Sequence, residues 1–225
     1  MQADFFHKKA FRVLFVFFAI LCFCVVGLAY RYYPYQVFLG AEFHFLVSNE
    51  ARVEAGAEFI KLEGGAGYLL RYEGREYAVL SVYLNEMDGL QVQQTLLEKG
   101  KSTQLISVRA SALTFRGETE RKNAGIYVGA LRSLYGCLSV LEESISRLEK
   151  GMTQEKTKGV LTELIHQLSF MSEIYADSYP SVAALSLSLC SAMRMENQGI
   201  LYAKNLRYLL CESGESYVAL TKAFT

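Results

Sequence analysis

The sequence predicts an α+β protein: a ferredoxin-like β-α-β-β-α-β sandwich followed by a small α-helical bundle, after one N-terminal transmembrane helix. Three observations lead there. An uncharged apolar run fills positions 13–30, with no polar face to make an amphipathic stripe. Between about residues 41 and 112, short alternating strands are interleaved with helical stretches. Beyond Gly117 the apolar residues recur every three or four positions. The expected organisation is a cytoplasmic tail and anchor over 1–35, an α+β domain over 41–112 and a helical domain over 118–225.

The anchor comes first. Crossing a bilayer takes about 20 apolar helical residues, and Ala10 to Tyr30 supplies them, with Arg12 able to snorkel. A cleaved signal peptide would want a shorter core and a small-residue exit. This segment leaves instead through Tyr30, Arg31, Tyr32 and Tyr33, in the manner of an interfacial aromatic belt. Lys8, Lys9 and Arg12 precede it, and only Arg31 follows closely. The positive-inside rule then predicts a single-pass cell-membrane protein, N-terminus cytoplasmic and C-terminal bulk extracytoplasmic.

In the α+β region, Glu42 to Val47 is short, aromatic and strand-like. Ser48 or Asn49 is placed to cap a helix carrying Val53, Ala57 and Ile60, and Gly64-Gly65-Ala66-Gly67 ends it. Tyr68 to Tyr72 is a second strand, Glu73-Gly74-Arg75 a hairpin turn, and Glu76 to Leu84 a third strand. Asn85 caps a second helix with Leu90, Leu96 and Leu97, Gly100 stops it, and Thr103 to Val108 is the fourth strand. Two split β-α-β halves make one sheet with both helices on one face.

The helical region opens with a seam of Tyr127, Leu131, Leu134, Leu138, Leu141, Ile145 and Leu148, ending at Gly151. A second helix carries Leu161, Leu164, Leu168, Met171 and Tyr175. A third starts at Pro180, a residue suited to a first turn, with Val182, Leu185, Leu189 and Met193. It continues or bends at Gly199 toward Leu206 and Leu210. Ser213-Gly214 then separates a last short helix with Tyr217, Val218 and Leu220. Short connections between such helices predict an antiparallel bundle.

Composition narrows the function classes. In 225 residues the net charge is +0, so no basic footprint points to nucleic acid. Two prolines argue against a long Pro-rich linker. The five cysteines lack CxxC spacing and are odd in number, which argues against a disulfide framework or zinc site. His7, His44 and His166 are far apart, and no metal ligand set is expected. The glycine run lacks a following Lys-Ser/Thr, and no serine sits in G-x-S-x-G. No catalytic residues and no cofactor are assigned, and the chain is expected not to be an enzyme.

Phe43-His44-Phe45-Leu46-Val47, the Gly65 to Tyr68 strand entry, and Tyr77-Ala78-Val79-Leu80-Ser81-Val82-Tyr83 followed by the helix near Asn85 resemble the sporulation-related repeat, or SPOR, domain family. The resemblance covers about a third of the chain. It implies a module presented outside the cell membrane that binds peptidoglycan glycan strands lacking peptide stems, across the open face of its sheet, in cell division or sporulation. Strand side chains alternate. If Val79 and Ser81 face the helices, then His44, Leu46, Ser48, Ala78, Leu80 and Val82 share the ligand face. Tyr68, Tyr72, Tyr77 and Tyr83 would add apolar plates with polar tips suited to sugars. A second reading is an assembly protein whose sheet face and bundle bind other envelope proteins. The apolar character of that face predicts that Leu46, Ala78, Leu80 and Val82 contact protein, with the helical region as the cover.

Overall fold

The computed structural model describes residues 18–27, 33–49 and 53–223. The apolar N-terminal run is represented there by helix α1 (Phe18–Gly27), whose Phe18, Phe23 and Val26 are exposed. The rest of the expected span lies outside the described residues. A short strand β1 (Tyr35–Val37) follows, then β2 (Glu42–Ser48), α2 (Val53–Leu62), β3 (Tyr68–Tyr72), β4 (Arg75–Tyr83), α3 (Glu86–Glu98) and β5 (Thr103–Arg109). Strand β6 (Leu113–Phe115) pairs with β1 in a two-stranded sheet that periodicity over three residues does not announce. Helices α4 (Glu118–Glu149), α5 (Gln154–Ile174), α6 (Pro180–Gln198) and α7 (Ala203–Lys222) complete the chain. The protein is therefore mixed α+β.

Residues 37–113 and 126–225 belong to one compact unit, and the described residues up to Gln36 with Thr114–Gly125 form the other. In the larger unit four antiparallel strands run in the order β3-β4-β2-β5. Local signals explain the elements. Asn85 caps α3 by accepting the Met87 N–H at 3.0 Å. Glu73 and Gly74 both have positive φ, as a two-residue hairpin loop requires. Gly67 has φ +61°, and a Cβ there would stand 2.5 Å from the Ala57 carbonyl oxygen, so the exit from α2 needs glycine. Ser48 stays in β2, opposite Thr103, while Asn49 donates its side-chain amide to Ser102 Oγ at 3.0 Å.

The helical seams bury as spaced: Leu131, Leu134, Leu138 and Leu141 of α4, Leu161, Leu164 and Leu168 of α5, Val182, Leu189 and Met193 of α6, and Leu206 and Leu210 of α7 are all within 2% of full burial. Pro180 sits in the first turn of α6, and Gly199 ends that helix. Two expectations need correction. Ser213-Gly214 does not separate a last helix; α7 runs through it unbroken. Leu90 and Leu97 do not point inward from α3 but are exposed, and that helix packs through Gly89 against Leu105 and Tyr83. Helix α4 is also the one described helix long and apolar enough to cross a bilayer by length and composition, and half of that stretch is buried within the fold.

Candidate functional site: the two faces of the sheet

The faces follow from register, because directly opposed residues of antiparallel strands share a side. His44 opposes Tyr83 and Ser107, Phe45 opposes Val82 and Ile106, and Leu46 opposes Ser81 and Leu105. Val47 then opposes Val79, so one residue of β4, Leu80, is left over at a bulge. The bulge resets the alternation along β4.

One face meets α2 and α3. Ala78 clusters with Ala57 and Ile60, and Leu80 packs on that cluster. His44, Leu46 and Ser48 share this side through alternation along β2. His44 is 4% exposed, and its Nδ1 lies 2.8 Å from Ser107 Oγ. The sequence-expected ligand face is thus split. His44, Leu46, Ser48, Ala78 and Leu80 look toward the sandwich's own helices, and Val82 looks the other way. The physical reason is twofold. Every residue of β2 from Phe43 to Val47 is buried, so burial carries no period-two signal, and the bulge at Leu80 inverts the parity that would relate Leu80 to Val82.

The opposite face carries Phe43, Phe45, Val47, Val79, Val82, Leu70 and Tyr68. It is covered by α4 and α7. Phe43 packs edge-on against Tyr135 of α4, centroids 5.6 Å apart at 80°, and lies 5.7 Å from the Tyr217 ring of α7. The Tyr217 hydroxyl donates to the Leu131 carbonyl at 3.2 Å, and the Tyr135 hydroxyl to the Glu42 carbonyl at 3.3 Å. At the β3 edge, Tyr68 stacks edge-on with Tyr208, centroids 5.3 Å apart, and its hydroxyl donates to the Glu215 carboxylate. Burial, then that carboxylate, push the Tyr68 phenol well above its usual range. Tyr72 sits at the hairpin end of β3 beside Glu73. Tyr68 is therefore spent on neighbours in the same chain.

Sequence reasoning missed a cleft of about 620 Å³ where β4 and α3 meet α4 and α7. Asp88, Gln91, Glu142, Glu149, Tyr83 and Arg207 line it. Glu142 accepts the Leu84 N–H at 3.0 Å, and burial, with Asp88 nearby, raises its carboxyl above the ordinary range. Arg207 donates to the Gly64 carbonyl at 2.6 Å and pairs with Glu149, tying the α2 exit, the end of α4 and α7 together. No motif announces this arrangement, since its members come from three separate stretches of the chain: the consecutive β4 and α3, then α4, then α7. Cys137, Cys190 and Cys211 are buried in the helical layer, and burial raises the Cys137 thiol to about 11, so it stays protonated at neutral pH. Among the described residues no cluster of three His, Cys, Asp or Glu side chains is placed to hold a metal ion.

No protein-family model, no curated protein and no solved structure matches this chain.

Proposed function

We propose that the chain is a non-catalytic, single-pass membrane protein of the bacterial envelope, and that its ferredoxin-like sandwich and helical bundle together form a protein-binding scaffold. The resemblance to the SPOR family supplies the setting, wall remodelling in division or sporulation. What carries the choice between scaffold and glycan reader is the sheet face turned away from α2 and α3. Through that face a glycan binder of this fold would act, and here Phe43 meets Tyr135 and Tyr217, Tyr68 meets Tyr208 and Glu215, and Val82 is buried. Opening it would expose several large apolar side chains, each worth about 1.5–3 kcal/mol of burial. The anchor rests on the uncharged 13–30 run and the basic residues before it.

Two measurements test the reading. Sedimentation of peptide-stripped glycan with the detergent-solubilised full chain should leave the protein in the supernatant. Co-sedimentation lost on Tyr68→Ala would replace the scaffold with the glycan reader, which requires α7 to lift from the sheet. For topology, a reporter active only in the cytoplasm, fused after Thr225, should be silent.

A further inference from the structure

Helices α4 and α5 leave a groove of about 520 Å³ between them, lined by Cys137, Val140, Phe170, Met171 and Ile174. It is apolar and open: Phe170 is 62% and Ile174 51% exposed. The α4 side of the groove continues into an exposed face on which Arg132, Gly136, Ser139, Val140 and Glu143 recur at three- and four-residue spacing. A Cβ added at Gly136 would meet nothing within 4 Å. Arg132 and Glu143 stand three turns apart, about 16 Å along the axis, beyond reach of each other in one chain. Glu143 is held by Arg147 one turn on, whereas Arg132 forms no ion pair with a described residue.

We propose that this face docks a second copy of the chain, α4 against α4 in antiparallel sense. Charge complementarity selects that occupant. One two-fold axis sets Arg132 of each copy against Glu143 of the other, so both pairs form from a single operation. A parallel pairing in register would instead oppose Arg132 to Arg132. The axis falls midway between these positions, beside Gly136 and Ser139. Small side chains there let the two helices approach closely, since interaxial distance is set by the residues at the contact. Phe170 and Ile174 of each copy then flank the incoming helix and lose their exposure to water. This interface does not depend on whether the sheet reads glycan.

The test is a charge swap followed by weighing. Sedimentation equilibrium of the detergent-solubilised full chain should give a dimer whose association weakens with salt. Arg132→Glu and Glu143→Arg should each weaken it by about tenfold, as like charges are brought together. The double variant should recover most of the loss, because the exchanged charges again meet across the axis. Gly136→Leu separates docking from folding: its side chain enters open space, so the thermal midpoint should hold while association falls. A monomer at every concentration overturns the proposal. So does a dimer indifferent to both single swaps, the result expected if the anchors alone associate, and so does a double variant as weak as the singles.

Discussion

Gly214 lies mid-helix in α7, where glycine costs about 0.5–1 kcal/mol relative to alanine. Its use is found on the sheet. A Cβ at Gly214 would stand 2.9 Å from Phe43 Cδ1, and Phe43 is fully buried between Tyr135 and Tyr217. The glycine is thus a notch for an aromatic ring, and gaining helix propensity there would cost packing. Gly214→Val should lower stability by about 1–3 kcal/mol through overpacking, read as a lower thermal midpoint. Gly136→Ala, on the open face of α4, should hold or raise it. A Gly214→Val chain that melts with the wild type would remove the notch from the account. The same residue marks where sequence reasoning ran out. Ser-Gly inside a helical pattern signals equally a helix end or a thinned contact, and the neighbour that decides between them, Phe43, is far away in the chain. Tyr127, Leu131 and Leu134, in contrast, were legible, because their burial partners lie on one side and the helical period alone marks that side.

At the scale of elements, strands β2 to β5 and helices α2 to α6 follow the sequence periods to within a few residues, with turn and cap chemistry at most switches, whereas α7 runs through the break expected at Ser213-Gly214. The orientation of β4 does not follow, because a bulge is a one-residue event without a compositional mark. Its consequence is specific: Leu80 and Val82, two apart, face opposite layers. Lysine at each should therefore loosen different helices. Leu80 is only partly buried against Ala57 and Ile60, so a lysine there can carry its ammonium to solvent along an apolar stem. Amides of α2 should then exchange faster, with α4 and α7 little changed. Val82 is 1% exposed and faces the helical layer, where a lysine has no such exit. Val82→Lys should cost several-fold more stability, on the order of 3 kcal/mol or more, and should release α7 and α4 first. Hydrogen exchange resolved by element reads both variants. Faster exchange of α2 in Val82→Lys, and of α7 in Leu80→Lys, would reverse the assignment of faces.

At the scale of the whole molecule, a change of hydrophobic period at Gly117 marks where strands give way to helices, whereas compactness joins residues 37–113 to 126–225. The two criteria differ because periodicity records secondary structure and compactness records what covers what. The sheet buries one face on α2 and α3 and the other on α4 and α7, so neither sequence half holds a complete core. Arg207 adds a polar tie across the same seam through the Gly64 carbonyl and Glu149. A chain ending at Gly117 keeps every strand and both sandwich helices but uncovers Phe43, Phe45, Val47, Leu70, Val79 and Val82, each at most 2% exposed in the full fold. Restoring six such side chains to water forfeits roughly 10 kcal/mol by area, comparable with the whole stability of a domain. That fragment should bind a hydrophobic dye strongly, show poor dispersion of its amide resonances and associate nonspecifically. Adding residues 118–225 as a separate chain should suppress the dye signal by covering the face. A soluble, sharply melting 1–117 fragment with low dye binding would mean that the sandwich stands alone with its second face open. The glycan-reading alternative would then regain the surface it requires.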